Sequence, residues 1–489
     1  MSQYWILAAI ALPILGSIGI PLLPFRKRKW MLIYIEAVVL LTSALVGALL
    51  LGGKTEVFHV VRFVNDLSIS FKIDGMTMVF AGLVAILWPL ATLYAFEYMT
   101  HEGHEKSFFL LYIMTYGVTL GIAFASDMLS MYFFYELLTL VTVPLVMHTL
   151  KREAILAVRK YLYFSLGGAA FALMGMIFLM VYGETCEFTL GGVFSAETLA
   201  QHGQLLLWIY LFSFMGFGVK AAIFPTSGWL PQAGVAPTPV TALLHAVAVV
   251  NAGAFAIIRL TYYSFGADFL RGSWVQTVCL ILTMFTIVYG CSRAVKESHI
   301  KRRLAWSTVS NLSYIVFGTM IMTPQGLVGA LAHFVFHGFI KITSFLCAGA
   351  FMHQTGKKYV YEMDGLGRSM KIVFGTFTVS ALGLMGVPGL AGFISKWNLV
   401  EAAVYGGNLV SYIGIACLLI SALLTAIYML SVVRRAYLPA TEESLAEPVK
   451  DPSWQMCLPL LLCAAATILL GFFSTPLIEF FRAIAQGVF

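Results

Sequence analysis

Several ionisable side chains stand in apolar segments, where a membrane would keep them far from water. Glutamate, lysine and histidine bind and release protons, and histidine titrates closest to neutral pH. An ionised group in the middle of a bilayer costs at least about 2.5–3.5 kcal/mol, so such residues are functional candidates by default. The candidates are Glu136, Lys220, His245, His333, His337, Lys341 and Lys396. Their chemistry predicts a path for protons, or for sodium ions, across a membrane.

The spacing of these residues supports a relay. His333, His337 and Lys341 stand at i, i+4 and i+8, which places them on one slowly rotating face of a helix. Glu136 lies about 12 Å into its apolar segment at a rise of about 1.5 Å per residue, too deep to reach the surface. A desolvated lysine releases its proton more readily, and a nearby carboxylate restores its charged form. Lys220 and Lys396 are candidates for such a lysine.

Structural explanations compete with this interpretation. A single buried histidine such as His245 is more often a hydrogen-bonded core residue, and a lone Lys–Glu pair can simply lock two helices together. Glu36 and Glu97 lie near the ends of apolar segments, where the side chain can extend to water, so we assign them no role. Because each of the seven deeper groups carries its own burial cost, together they favour function.

A redox subunit that binds haem or quinone is a further alternative. Haem held by two histidines normally takes ligands from two facing helices, whereas His333 and His337 share one helix. The sequence contains no GxGxxG or phosphate-binding loop, and its 7 cysteines include no CxxC pair. We therefore expect no cofactor and no metal in this chain.

The composition shows what must position these residues. The chain has 489 residues, of which 60% are hydrophobic and 11% charged, with a mean hydropathy of +0.89. Apolar runs of about 20 residues, each able to cross a hydrocarbon core about 30 Å thick, predict an all-α integral membrane protein of about 14 transmembrane helices. The predicted spans lie near 4–24, 31–51, 77–97, 108–126, 128–149, 161–182, 205–224, 235–261, 275–292, 304–323, 325–352, 373–404, 408–433 and 456–481.

The connections between the spans are short, except for 52–76, 183–204 and the polar stretch 434–455, so we expect residues 1–489 to form one membrane domain. The first apolar run is expected to stay in the protein, because its positive charges follow it. The net charge of +7 comes mainly from lysines and arginines in alternate connections. This bias predicts an inner-membrane protein with both termini on the outer side, and argues against nucleic-acid binding.

Two spans contain helix breakers. One break follows Lys220, from Phe224-Pro225 to Leu230-Pro231, and the other, Gly386 to Gly389, precedes Lys396. Broken helices at matched positions are typical of transporters built from inverted repeats. We predict two five-helix repeats, over residues 108–261 and 275–433, each with one broken helix. Prolines that merely kink long helices are the alternative.

From about residue 75 to 435, these motifs resemble the antiporter-like subunits shared by respiratory complex I, Mrp-type sodium/proton antiporters and membrane-bound energy-converting hydrogenases. Glu136 and Lys220 match the family's Glu–Lys pair, and 238–246 resembles the eighth helix in its His-bearing form. Residues 300–308 resemble the start of the tenth helix, although tyrosine is commoner where Trp306 stands. His333, His337 and Lys341 fall on the eleventh-helix pattern, and Lys396 matches the final residue of the row.

The resemblance implies a proton- or sodium-translocating subunit of a multisubunit membrane complex, driven by redox chemistry elsewhere and with none of its own. Its partners would be other membrane subunits, including antiporter-like or small ones. A proton would pass from Lys220 to His245, and past His333, His337 and Lys341 to Lys396. Hydroxyls such as Ser307, Thr308 and Ser310 could fill the gaps. A subunit of a secondary Mrp-type antiporter is the alternative. Because the sequence ends at Phe489, without the long lateral helix of the large complex I member, we expect a build closer to the hydrogenase, Mrp or shorter complex I members.

Overall fold

The computed structural model describes residues 3–63, 67–438 and 448–488, so the middle of the polar stretch 434–455, with Glu442, Glu443 and Glu447, lies outside the described residues. The helices are α1 (Tyr4–Leu22), α2 (Arg28–Leu51), α3 (Gly75–Tyr98), α4 (Glu105–Phe124), α5 (Met128–Val146), α6 (Arg152–Tyr182), α7 (Ala196–Gly218), α8 (Leu230–Ala233), α9 (Thr238–Ala246), α10 (Val249–Ile258), α11 (Ala267–Leu270), α12 (Trp274–Lys296), α13 (Ile300–Met320), α14 (Pro324–Thr355), α15 (Lys371–Met385), α16 (Ala391–Gly406), α17 (Leu409–Tyr437), α18 (Trp454–Phe472) and α19 (Thr475–Ala485). A π-helical stretch, Arg259–Phe265, continues α10.

Within the described residues, 11 helices are long and apolar enough to cross a membrane. They confirm an integral membrane protein with many apolar helices. The predicted spans 205–224, 304–323 and 373–404 are not among the 11. These spans correspond to α7, whose first turns are polar, to α13, which begins with three basic residues, and to the pair α15 and α16. The count of about 14 therefore stays a prediction.

The connection 52–76 contains a feature that an all-α fold does not predict. Strands β1 (Phe58–Arg62) and β2 (Ser68–Phe71) pair antiparallel and form a two-stranded hairpin. The hairpin lies against the ends of two helices, because the Lys72 amide donates to the Phe124 carbonyl at 2.9 Å. It therefore closes one end of the helical bundle near α4 and α5.

Helix α14 forms the centre of the bundle. Every residue from Gly326 to Phe351 is buried, and the helix packs against α3, α9, α13, α15, α16, α18 and α19. Three of the candidate residues therefore lie in the enclosed part of this helix. The outer helices α1, α2 and α17 bury only one side and leave the rest for lipid or for partner subunits.

Both predicted breaks occur, although the first begins earlier than expected. Helix α7 ends at Gly218, so Lys220 lies inside the break instead of before it. The second break separates α15 from α16, as the sequence predicts. Gly386 and Gly389 both have φ of +89°, in the left-handed region where glycine avoids the strain of a Cβ. The division into inverted repeats stays a prediction.

Two predicted spans are not continuous. The span 235–261 corresponds to Thr238–Phe265, one of the 11 apolar spans, but its helix is interrupted at Val247 and Ala248, between α9 and α10. The Asn251 amide donates to the Ala246 carbonyl at 2.9 Å and so satisfies an acceptor that the break releases. The span 456–481 likewise divides into α18 and α19. The first of these breaks lies immediately after His245.

Candidate functional site

The pair formed by Glu136 and Lys220 lies between α5 and the break after α7. The Lys220 Nζ is 3.9 Å from Glu136 Oε1, and the side chains are 1% and 23% exposed. This separation is too long for a direct hydrogen bond. The ammonium instead donates to the Tyr135 backbone carbonyl and lies 3.3 Å from the centroid of the Tyr135 ring. The carboxylate is therefore close enough to influence Lys220 by charge, while the hydrogen bond is made elsewhere.

Neighbouring groups fix the break around Lys220. The Tyr135 hydroxyl donates to the Phe217 carbonyl at 3.2 Å, and the Trp229 indole donates to the Val219 carbonyl at 2.8 Å. Both carbonyls, near the end of α7, also accept backbone hydrogen bonds, from the Ala221 amide at 3.3 Å and the Ala222 amide at 3.1 Å. Gly253 of α10 packs so closely that a Cβ there would lie 2.4 Å from the Ala221 nitrogen. The break is thus a packed, hydrogen-bonded structure.

His245 stands in the last turn of α9 and is fully buried. Its ring stacks on Phe345 of α14 with centroids 4.7 Å apart. Neither ring nitrogen has a hydrogen-bond partner among the described residues. A buried imidazole without partners is costly, so these nitrogens are available to exchange a proton or to bind water.

The two histidines of α14 form a stack. The His333 and His337 rings have centroids 5.6 Å apart, and Tyr314 stacks on the other side of His333 at 5.1 Å. His333 Nδ1 shares a 3.0 Å hydrogen bond with the Ser395 hydroxyl on α16. Both nitrogens of His337 lack a partner among the described residues. The predicted spacing therefore brings both rings onto one buried face.

Lys341 leads into a group of hydroxyls between α13 and α17. Its ammonium donates to the Ser307 hydroxyl at 2.7 Å, and Ser307 shares a 2.6 Å hydrogen bond with the Tyr428 hydroxyl. The Tyr428 hydroxyl in turn donates to Thr425 at 3.3 Å. The sequence pointed to Ser307 but missed Tyr428 and Thr425, because nothing local shows that α17 lies opposite Lys341.

Lys396 lies five residues into α16 and points back at the second break. Its ammonium donates to the Leu384 carbonyl at 2.5 Å and to the Met385 carbonyl at 3.3 Å. These are free acceptors at the end of α15, where the helix dipole favours a positive charge. Among the ion pairs of the described residues, none includes Lys396. Backbone dipoles therefore replace the carboxylate that Lys220 has.

Two buried cations escaped the sequence analysis. Arg259, which the sequence places at the end of a span, is 0% exposed and makes two hydrogen bonds to the Asp74 carboxylate, at 2.7 and 2.8 Å. Burial alone would raise the pKa of Asp74, but Arg259 and Lys72 lower that pKa to about 2. Lys301, expected in a connection, is 3% exposed and donates to the Ala236 carbonyl at 2.6 Å. Only the structure reveals how deeply both lie.

Glu36 is also more enclosed than its place in the sequence suggested. One of its carboxylate oxygens is buried without a hydrogen-bond partner in the described part of the chain. Residues 28–30 already belong to α2, so the carboxylate lies further from the helix end than the predicted span implied. One of the two carboxylate oxygens is thus enclosed by the protein.

The fold and the buried row of Glu, Lys and His side chains define a class of polytopic, antiporter-like membrane subunits. Residues 125–427, which include all seven candidates, match the family model described as "NADH:quinone oxidoreductase/Mrp antiporter, TM". Residues 63–109 match the model for the N-terminus of chain 5 of complex I, the NADH-ubiquinone oxidoreductase. The chain belongs to the NADH:quinone oxidoreductase/Mrp antiporter membrane-subunit family.

Individual relatives agree with this assignment. NADH-quinone oxidoreductase subunit N of Desulforudis audaxviator is 27% identical, over 96% of this chain and 94% of the relative. A chain 4 of NAD(P)H-quinone oxidoreductase from Picosynechococcus is 28% identical, over 88% and 79%. Chains in the Mrp complex of Dietzia and in an archaeal membrane-bound sulfane sulfur reductase share the fold, with TM-scores of 0.85 and 0.87. Each is 21% identical and aligns over 99% of this chain and 97% of its own length.

Proposed function

We propose that this chain is a proton- or sodium-translocating subunit of a multisubunit membrane complex. The observation that carries the proposal is the set of titratable side chains inside the bundle, five of which are buried and two of which, Glu136 and Lys396, are partly buried. These groups are Glu136, Lys220, His245, His333, His337, Lys341 and Lys396. Structural ion pairs normally satisfy both partners, whereas the imidazoles of His245 and His337 have no partner among the described residues.

The first step is electrostatic. Ionised Glu136 stabilises the ammonium form of Lys220 across 3.9 Å. When a charge change in a neighbouring subunit attracts the Glu136 carboxylate, its stabilisation of the Lys220 ammonium weakens. Lys220 then releases its proton towards His245. Since the ammonium bonds to a backbone carbonyl and not to the carboxylate, no direct bond between the two side chains has to break.

The proton then moves along α14. His337 stacks on His333 with ring centroids 5.6 Å apart, and the neighbouring Gly338 packs against Ala246, the residue after His245. His333 shares a hydrogen bond with the hydroxyl of Ser395, the residue directly before Lys396. These contacts favour a path from His245 through His337 and His333 to Lys396. Lys341, one helical turn beyond His337, influences this path by its positive charge. This order differs from the sequence-based one, in which Lys341 comes last before Lys396.

Lys396 is the terminal carrier in this proposal. Its ammonium is held by the carbonyls at the end of α15, and it releases the proton to the opposite side of the membrane. The two breaks thus serve two half-channels, one in each proposed inverted repeat (108–261 and 275–433). The excess of basic residues in alternate connections supports an inner-membrane location with both termini outside.

This proposal is tested on the whole complex. The chain is purified in mild detergent with its natural partners, reconstituted into vesicles, and assayed for proton or sodium movement with the partners' electron donor present and absent. Ion movement that needs the electron donor supports the redox-driven subunit. Ion exchange without any donor favours the Mrp-type antiporter. A complex that holds haem or quinone in this chain and moves no ion would refute the proposal.

A further inference from the structure

A cavity outside the proton row opens on the face that carries the basic connections. It has a volume of about 530 Å³ and lies between α6, the short helix α8 and the junction of α12 with α13. Its walls include the bases Lys160, Arg293 and Arg302, two glutamates and Trp306. None of the seven candidate residues lines it. The cavity therefore needs an explanation of its own.

The bases of this cavity outnumber its acids, three to two. Among the ion pairs of the described residues, none includes Lys160, Arg293 or Arg302. Of the two glutamates, Glu297 accepts a hydrogen bond from the His299 amide at 3.1 Å, and Glu153 lies in the first turn of α6. Three bases against two acids, with no ion pair between them, suit a ligand that carries negative charge.

An aromatic surface leads into the cavity from the apolar side. Phe285, Tyr289 and Arg293 stand at i, i+4 and i+8 on α12, so they share a face. The Phe285 ring is half exposed and packs 4.7 Å from Phe224. Tyr289 contacts Trp306 edge-on at 5.6 Å, and the Arg293 guanidinium lies 5.3 Å over the Trp306 ring. The surface thus passes from the half-exposed Phe285 ring, past the partly buried Tyr289, to the base Arg293.

We infer that this cavity binds the phosphate headgroup of an anionic phospholipid, with an acyl chain lying along Phe285 and Phe224. A phospholipid matches both halves of the surface, since its phosphate suits the bases and its chain suits the exposed aromatic rings. Free phosphate would use only the bases. The cavity wall includes Gly228 and Pro231, which follow the break that holds Lys220. A bound lipid would therefore rest against the segment that positions Lys220.

The experiment measures which lipids stay with the complex. The complex is purified from nanodiscs that contain equal amounts of phosphatidylglycerol and phosphatidylcholine, and the retained lipids are counted by native mass spectrometry. Lys160→Gln and Arg293→Gln should each lower the retained phosphatidylglycerol about fivefold and leave phosphatidylcholine unchanged. Arg159→Gln and Lys296→Gln are the matched controls, because both bases are exposed on the same helices but do not line the cavity.

Further experiments distinguish a lipid from other occupants of the cavity. Gly228→Leu should lower phosphatidylglycerol retention without changing charge, because a Cβ at this position would already lie 3.3 Å from Lys160 Nζ. Inorganic phosphate at high concentration should not displace the lipid, since it lacks an acyl chain. Equal retention by all five variants would overturn the inference. So would displacement by phosphate, or a cross-link from Leu156→Cys at the cavity rim to another subunit in the intact complex.

Discussion

The Lys220 ammonium lies 3.9 Å from the Glu136 carboxylate but donates its hydrogen bond to the Tyr135 carbonyl, one residue earlier on α5. The two side chains are therefore coupled by charge without sharing a proton directly. An arrangement that served only to join α5 to α7 would gain more from a direct, charge-assisted hydrogen bond. The looser pairing is what an electrostatic trigger requires.

Glu136→Gln should abolish coupled ion movement and leave assembly largely intact, because the amide keeps the shape of the side chain and loses its charge. The measurement is membrane-potential formation in vesicles, with assembly checked by native gel. Glu197→Gln is the control, since that carboxylate is exposed at the start of α7. Normal pumping by a well-assembled Glu136→Gln complex would remove the trigger from the mechanism.

Lys220→Ala should weaken assembly more than Lys220→Arg, although both should stop transport. Arginine keeps a positive charge near Glu136 but cannot release a proton, so charge alone is not enough. Alanine leaves Glu136 without its partner in a site that is largely buried. Proton uptake is measured in reconstituted vesicles and normalised to the amount of assembled complex. Substantial transport by Lys220→Arg would mean that Lys220 has a structural role.

Ser307→Ala should slow transport about tenfold, a barrier of about 1.4 kcal/mol, which is the size expected for one lost hydrogen bond to a buried charge. The reason is that Lys341 loses its acceptor and Tyr428 loses a partner. Ser313→Ala is a matched control, because Ser313 is buried in the same helix and bonds only to the Val309 carbonyl. Equal rates in the two variants would exclude the hydroxyl group from the mechanism.

The Asp74–Arg259 pair should make stability sensitive to acid. The pKa of Asp74 in the folded protein is about 2, below its ordinary value of 3.8, so the pair stabilises fully above that ordinary value and loses its effect as pH falls towards 2. The difference corresponds to about 2 kcal/mol. Asp74→Asn should lower the unfolding temperature at pH 7 and flatten this acid dependence.

Thermal unfolding in detergent, followed between pH 6 and a pH of about 3, measures this effect. Asp268→Asn is the control, because its partner Arg271 and its own carboxylate are both exposed and contribute little. A wild-type acid profile that Asp74→Asn leaves unchanged would show that the pair does not contribute to stability.

The sequence could predict the features that depend on residues close together in the chain. The second break was predictable, because residues 386–389 include two glycines and a proline. Such residues interrupt a helix whatever its surroundings. Burial of five of the seven candidates, all but Glu136 and Lys396, followed from apolar neighbours on both sides. The break at Val247 and Ala248 contains neither glycine nor proline, and only tertiary packing produces it.

Long-range pairs were beyond a single sequence. Asp74 and Arg259 are separated by 185 positions, and no spacing rule connects them. Each charge viewed alone suggests a residue at the membrane surface. No spacing rule connects Tyr428 to Ser307 either, because the two residues are 121 positions apart. Residue types and helical spacing therefore indicated the carriers, whereas the groups that hold them became visible only in the folded chain.

The terminal position of Lys396 can be tested by two substitutions. Lys396→Glu should be tolerated better than Lys396→Ala, because a glutamate can still titrate in a wet cavity and alanine leaves no carrier. The glutamate will still transport more slowly than lysine, since the Leu384 and Met385 carbonyls favour a positive charge. Proton release is compared in reconstituted vesicles, with assembly checked by native gel and with Lys371→Ala, at the start of α15, as the control. Near-normal release by both variants would show that the path leaves elsewhere, at Lys341 or through a neighbouring subunit, and the proposed order of carriers would be wrong.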